Sequence, residues 1–132
     1  MAAREPFASP LFFPLRCWLE QLPPRPDAAA VAALAERHPI IAGNGRRIRF
    51  VPPRPDGPAY ECRIWESGEV ETRPNSWHDW FNALVWLSFP RTKVAVSARH
   101  VRAMMPDGEA RGSERDALTH FDECGIGVLS TQ

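Results

Sequence analysis

His78, Asp79 and Asn82 stand at i, i+1 and i+4, which on a helix of 3.6 residues per turn places them within an arc of about 100°. A histidine beside a carboxylate at a helix N-terminus can serve as a general base or a metal ligand, and an amide one turn later can orient a substrate or a water. A structural reading competes. Asp79 can complete a capping box with Ser76, His78 can satisfy a backbone carbonyl, and Asn82 can tie a loop to the helix. Capping accounts for Asp79 well. His78 and Asn82 exceed what capping needs, because polar groups on so apolar a helix cost free energy unless they are paired.

Two cations and an acidic group extend the candidate chemistry. Arg91 and Lys93 follow the end of the same stretch, where they can complement a helix dipole or receive a phosphate or carboxylate, Arg91 as a fork and Lys93 as a point charge. Asp116, Thr119 and Glu123 share one helical face, as do Arg115, Thr119 and Asp122. These faces can complete a site with His78, or can pair with Arg91, Arg99 or Arg102 across a helix interface. His78, His100, Asp122 and Glu123 are compatible with a divalent metal, although no H-x-x-x-H or H-x-E pattern supports one. His100, at the edge of an apolar face, reads by default as a satisfied, half-buried histidine. Cysteine nucleophiles are poorly supported: Cys62 falls on the inward side of its expected strand and Cys124 on the apolar face of its helix, where thiols are inert. No phosphate-cradling loop occurs, since Gly43-Asn44-Gly45 lacks a following helix.

The element that must position these residues is the run Trp77 to Leu87, a helix apolar nearly all round and therefore central and covered. Ser76 starts it and Pro90 stops it, with Thr92 placed to cap a following helix over 94–105. Ser113 and Asp116 repeat the capping pattern before a helix over 113–124, whose inner face is Ala117, Leu118, Phe121 and Cys124 and which Gly125 would end. Upstream, Leu15, Trp18, Leu19 and Leu22 recur at helical spacing, and Asp27 is the expected N-cap of Ala28 to Arg37. Arg46 to Val51 alternates with period two, as do Ala59 to Trp65 and Glu69 to Arg73, and Ser67-Gly68 reads as the turn of a hairpin. Ile126 to Ser130 begins a strand.

The totals bound the class. The chain of 132 residues is at most one ordinary domain, and its 16 basic and 16 acidic residues cancel, which removes the footprint of a general DNA or membrane binder. Charge is regional instead. Residues 73–106 carry Arg73, Arg91, Lys93, Arg99 and Arg102 against Asp79 alone, a balance of +4, while 107–132 carry six acids against Arg111 and Arg115, a balance of −4. The simplest consequence is that the two segments pack together. Cys17, Cys62 and Cys124 are odd in number and widely spaced, which points to reduced thiols rather than a disulfide framework or zinc knuckle. No cleavable signal and no membrane-length apolar run is legible, so a soluble, cytoplasmic protein is expected.

The sequence resembles the proteobacterial family known as domain of unknown function 3025. The resemblance rests on G-N-G-R-R-I-R-F-V-P-P at 43–53, Y-E-C-R-I-W-E-S-G-E-V-E-T-R at 60–73, W-H-D-W-F-N-A-L-V-W-L-S-F-P-R-T-K at 77–93, A-R-H at 98–100 and E-R-D-A-L-T-H-F-D-E-C-G at 114–125. Ser76 departs from the family's usual N-W-H-D, and Ser97 stands where Asn is usual. The resemblance also implies a second half beyond Ser130 with a G-H-A-L-Y-E-K-like motif, which this sequence lacks; an edge left by Ile126 to Leu129 would then need a protein partner or a second copy of the chain. No activity comes with the family.

The expectation is an α+β fold: a proline-rich segment over 1–26 with a short helix, then one domain over 27–132 in which a small antiparallel sheet from 46–73 packs on the tryptophan-rich helix. The leading functional expectation is a hydrolase-like site of His78, Asn82, Asp116 and Asp122, with Arg91, Lys93 and Arg115 holding a small anionic or phosphorylated substrate. The alternatives are a non-enzymatic scaffold domain whose polar residues form internal networks, and nucleic-acid contact through 91–102.

Overall fold

Ser76 sits in extended backbone and its hydroxyl accepts the Asp79 N–H at 3.2 Å, so the tryptophan-rich run becomes helix α4 (Trp77–Ser88). A side-chain cap of this kind satisfies one of the four N–H groups that a helix start leaves free. The computed structural model of the chain describes residues 7–104 and 111–124. Within them α4 is central as expected: Trp80, Ala83, Leu84 and Trp86 are at most 1% exposed. Burying the large side chains among them contributes roughly 1.5–3 kcal/mol each, which outweighs the β-branched and aromatic residues' modest helix propensity.

Around α4 lie a 3₁₀ turn (Pro10–Leu15), α1 (Arg16–Leu19), α2 (Ala28–Arg37), β1 (Arg49–Val51), α3 (Tyr60–Ser67), β2 (Glu69–Glu71), α5 (Pro90–Ala103) and α6 (Arg111–Cys124). Asp27 caps α2 as the sequence indicates, accepting from Ala30 N–H at 2.9 Å. That alanine-rich helix packs closely, with Val31 and Leu34 fully buried against β1 and α4. Trp18 is half-buried and meets the edge of His38, the ring centroids 5.0 Å apart. The last residue of α4 is followed by Phe89 alone, and Pro90 opens α5 at its first position rather than leaving Thr92 to cap it. Proline suits that place because its missing N–H would have had no helical partner.

The sheet corrects the sequence reading in two ways. Residues 60–67 form helix α3, not a strand, and β1 and β2 pair in parallel, not as a hairpin, with Arg49 opposite Glu69, Phe50 opposite Val70 and Val51 opposite Glu71. A parallel pair needs a crossover of a dozen or more residues, and α3 supplies it. Gly68 is the deciding residue. It ends α3 in the left-handed region at φ 73°, donating its N–H to Ile64 O at 2.8 Å, and a Cβ there would stand 2.1 Å from the Arg47 carbonyl oxygen. Only glycine tolerates both demands.

A buried ion network locks this unit. Arg63, on α3, bonds Glu69 Oε2 at 2.9 Å and pairs with Glu71, while Arg49 and Arg54 reach Glu69 Oε1 at 3.3 Å each. The guanidinium hydrogen bond from Arg63, more than the penalty of burial, holds the Glu69 carboxyl below its ordinary range. On α5 the inner face is Lys93, Val96, Ser97, His100, Val101 and Ala103, with Val94 only partly covered. Helix α6 packs on α5, joining the basic and acidic segments through Lys93–Asp122 and Arg99–Glu114. Leu118 is half-buried on α6, but Ala117 is exposed and Phe121 remains 49% exposed. Gly125 and the strand expected at Ile126 to Ser130 lie outside the described residues. No helix among the described residues is long and apolar enough to cross a membrane.

Candidate functional site

Four helices turn polar side chains into one open cleft of about 940 Å³. Helix α3 contributes Tyr60 and Glu61, α4 contributes His78, Asp79, Phe81, Asn82 and Val85, α5 contributes His100, and α6 contributes Thr119, Asp122 and Glu123; Pro53, Glu71 and Arg73 close the rim. The clustering follows from local structure. The i, i+1, i+4 spacing of His78, Asp79 and Asn82 keeps them within an arc of about 100° on α4, turned from Leu84, which is fully buried.

Lys93 organises the floor. Its side chain is 7% exposed, and its Nζ donates to Asp122 Oδ1 at 2.6 Å, Asp122 Oδ2 at 2.9 Å and Asn82 Oδ1 at 2.9 Å. An ammonium only donates, so the Asn82 oxygen must face Lys93 and its amide nitrogen must face outward. That nitrogen reaches the Tyr60 hydroxyl oxygen at 3.3 Å. Tyr60 is thereby used as an acceptor, and its own O–H hydrogen stays available to a ligand. Burial, reinforced by the Glu61 charge, pushes the Tyr60 phenol up, so it stays neutral.

Glu61 is the carboxyl that its position brings near neutrality. Burial is the main cause raising its carboxyl to about 7, with the Lys93 ammonium opposing, the Asp122 charge adding, and the Ser97 hydroxyl and Arg115 opposing more weakly. A carboxyl at that value exchanges protons at neutral pH, as a general acid or base requires. His100, 6% exposed, is held below the ordinary histidine value chiefly by burial, with the cations Arg115 and Lys93 assisting and Asp122 opposing. Its Nδ1 has no hydrogen-bond partner among the described residues.

At the rim, Asp79 serves a different end from the one its spacing implied. Its carboxylate does not reach back to the Ser76 N–H, which donates to Arg73 O; it receives Arg73 Nε at 2.8 Å, Arg73 Nη2 at 2.9 Å and the Arg73 backbone N–H at 3.0 Å. These bonds from Arg73 hold the Asp79 carboxyl far below the usual carboxylate range. His78 Nδ1 lies 3.1 Å from Asp79 Oδ1 and the ring is 74% exposed. With Nδ1–H donated to the carboxylate, Nε2 faces outward as an acceptor.

The structure thus brings His78, Asn82, Asp122, Glu123 and His100 to one cleft and sets Lys93 beneath it. Arg115 acts on Glu61 and His100 through its charge without lining the cleft. Asp116 is exposed and does not line it either. Arg91 lies elsewhere, on a groove of about 630 Å³ with Ile40, Ile41, Trp65, Pro90 and Val94. Among the described residues no three His, Cys, Asp or Glu side chains are grouped to hold a metal. Period-two alternation over 59–65 conceals Tyr60 and Glu61, because in a strand Tyr60 would share the inward side of Cys62, whereas helix α3 turns both residues to the cleft. The signal lay in Gly68, whose role as helix cap turns the preceding residues from period two to period 3.6.

With this geometry in hand, the chain can be placed among known proteins. Residues 48–132 match the family described as protein of unknown function (DUF3025), and the chain belongs to it. No curated protein and no solved structure matches the chain.

Proposed function

We propose that this member of a family without an assigned activity is a hydrolase-like protein whose acid–base group is Glu61. The observation that carries the reading is the convergence of Tyr60, Glu61, His78, Asn82, His100 and Asp122 from four helices on a single solvent-reachable cleft. In this scheme the Glu61 carboxylate takes a proton from a water, whose oxygen bonds to the electrophilic centre of the substrate. The leaving group departs with a proton returned from the Glu61 carboxyl, so no redox partner is needed. The Tyr60 O–H donates to the atom on which negative charge develops. Lys93 and Asn82 act as positioning residues, fixing Tyr60 through the hydrogen-bond chain Lys93–Asn82–Tyr60.

An anionic substrate held by Arg91 and Lys93 has less support than the cleft itself, because Asp122 neutralises Lys93 and Arg91 lies on the other groove. A panel of chromogenic ester, amide, glycoside and phosphate substrates, assayed with the wild type and with Glu61→Gln, tests the proposal. Hydrolysis that Glu61→Gln abolishes, and that rises through an ionisation near pH 7, supports it; a wild type inert across the panel, or equal rates in the two proteins, counts against it.

A scaffold reading also has a specific observation in its favour. Lys93 is nearly enclosed and joins α4, α5 and α6 through Asn82 and Asp122, as an internal network fixing helix against helix would. Under that reading substitution at Glu61 leaves partner binding untouched and only Lys93 and Asp122 matter.

A further inference from the structure

The charges around the cleft do not balance. Glu61, Glu71, Asp79, Asp122 and Glu123 line it, with Arg73 as the lining cation. Arg73 is held by Asp79, Glu71 by Arg63 and Asp122 by Lys93. Glu61 and Glu123 have no salt-bridge partner among the described residues. Against them stand the rings of Tyr60 and Phe81 and the side chain of Val85, an apolar wall beside two carboxylates that no salt bridge among the described residues neutralises.

A second observation points to a ligand. His100 is 6% exposed, lines the cleft, and keeps Nδ1 without a hydrogen-bond partner among the described residues. A buried polar atom without a partner costs about 1–3 kcal/mol. Burial and the nearby cations keep this imidazole neutral, so with the proton on Nε2 its Nδ1 is an acceptor that an N–H donor would satisfy.

We infer that the cleft binds an organic cation, an alkylamine or alkylguanidinium, with its charged head between Glu61 and Glu123, one N–H on His100 Nδ1, and its alkyl body along Tyr60, Phe81 and Val85. The inference rests on the cleft being the ligand site of the proposed function. Carboxylates matched to a planar or ammonium donor give charge-assisted hydrogen bonds, and aromatic faces add attraction for a cation. A divalent metal fits less well, since no three donors of the metal-binding types are grouped among the described residues.

Binding is coupled to protonation. Lys93 and Ser97 on α5 and Arg115 and Asp122 on α6 act on Glu61, as it acts on Tyr60 of its own helix, and it shares the cleft with Asn82 of α4, His100 of α5 and Glu123 of α6. With its carboxyl near 7, only the ionised form attracts the cation, so affinity rises by about tenfold from pH 6 to pH 8 and binding at pH 7 releases roughly half a proton.

Calorimetric titration of the full chain with 1,4-diaminobutane and 4-guanidinobutylamine tests this, with glutarate, inorganic phosphate and magnesium chloride as matched probes. The expected result is saturable binding of one or both organic cations, tighter at pH 8, weakened about tenfold or more by Glu61→Gln and by Glu123→Gln. Binding of glutarate or phosphate but not of the cations overturns the inference. So does magnesium binding at Glu61 in place of the organic cations, or cation affinity unchanged in both variants. The two proposals fail separately: cation binding at Glu61 without hydrolysis retains the ligand class, whereas Glu61-dependent hydrolysis with no cation binding removes it.

Discussion

Replacing Glu61 by glutamine removes a carboxyl that folding makes harder to ionise, and the consequence for stability has a definite sign. The carboxyl is raised from 4.5 to about 7, chiefly by burial. Between these values the folded chain holds a proton that the unfolded chain has released, so the wild type loses stability as pH rises from 4.5 through 7. The full shift corresponds to about 3.4 kcal/mol at 1.36 kcal/mol per pK unit. Because Glu61 keeps contact with the open cleft, solvent screening reduces the expectation to about 2 kcal/mol. Glu61→Gln does not titrate and escapes this penalty. Relative to wild type it gains about 2 kcal/mol on going from pH 4.5 to pH 8, or roughly 6–8 °C in Tm. Urea unfolding of both proteins at the two pH values measures the gain, and taking the difference between pH values cancels the other carboxylates and any intrinsic effect of the amide. A gain below about half a kcal/mol would show that Glu61 is solvated like an ordinary surface carboxylate, and would sink its role as an acid–base group near neutrality.

Other perturbations probe the frame around the cleft. Gly68→Ala forces a side chain into a left-handed position against the Arg47 carbonyl and should cost about 2–4 kcal/mol, read as a lower urea midpoint; an unchanged midpoint refutes the cap. Lys93→Met and Asp122→Asn should each destabilise by about 2–3 kcal/mol, with a double variant less destabilised than the sum, because each single change strands its partner. Additive losses in that cycle would mean that Lys93 and Asp122 do not interact. Asp79→Asn should cost about 1 kcal/mol at pH 7. Since Arg73 depresses the Asp79 carboxyl, that stability is present above the ordinary carboxylate value and is lost as pH falls below it; a gap that persists unchanged at pH 2 contradicts the ion pair.

Much of this protein is set by local sequence. The caps at Asp27 and Ser76, the proline that separates two helices and the apolar run 80–87 act through neighbours a few residues away, so α2, α4 and most of α5 are legible without a fold. The opposite charge balances of 73–106 and 107–132 similarly foretell Lys93–Asp122 and Arg99–Glu114. His78, Asn82 and Asp122 stand out because polar residues on an apolar helix need partners. Tertiary structure decided the rest. Tyr60, Cys62 and Ile64 fit a strand as well as a helix, and only the close approach of Gly68 to Arg47, with Arg63 drawn to Glu69 and Glu71, selects the helix and so makes the sheet parallel. That choice turns Tyr60 and Glu61 into the cleft. The protonation of Glu61 then depends on burial by helices remote in sequence, a property of assembled surroundings that no spacing of residues carries.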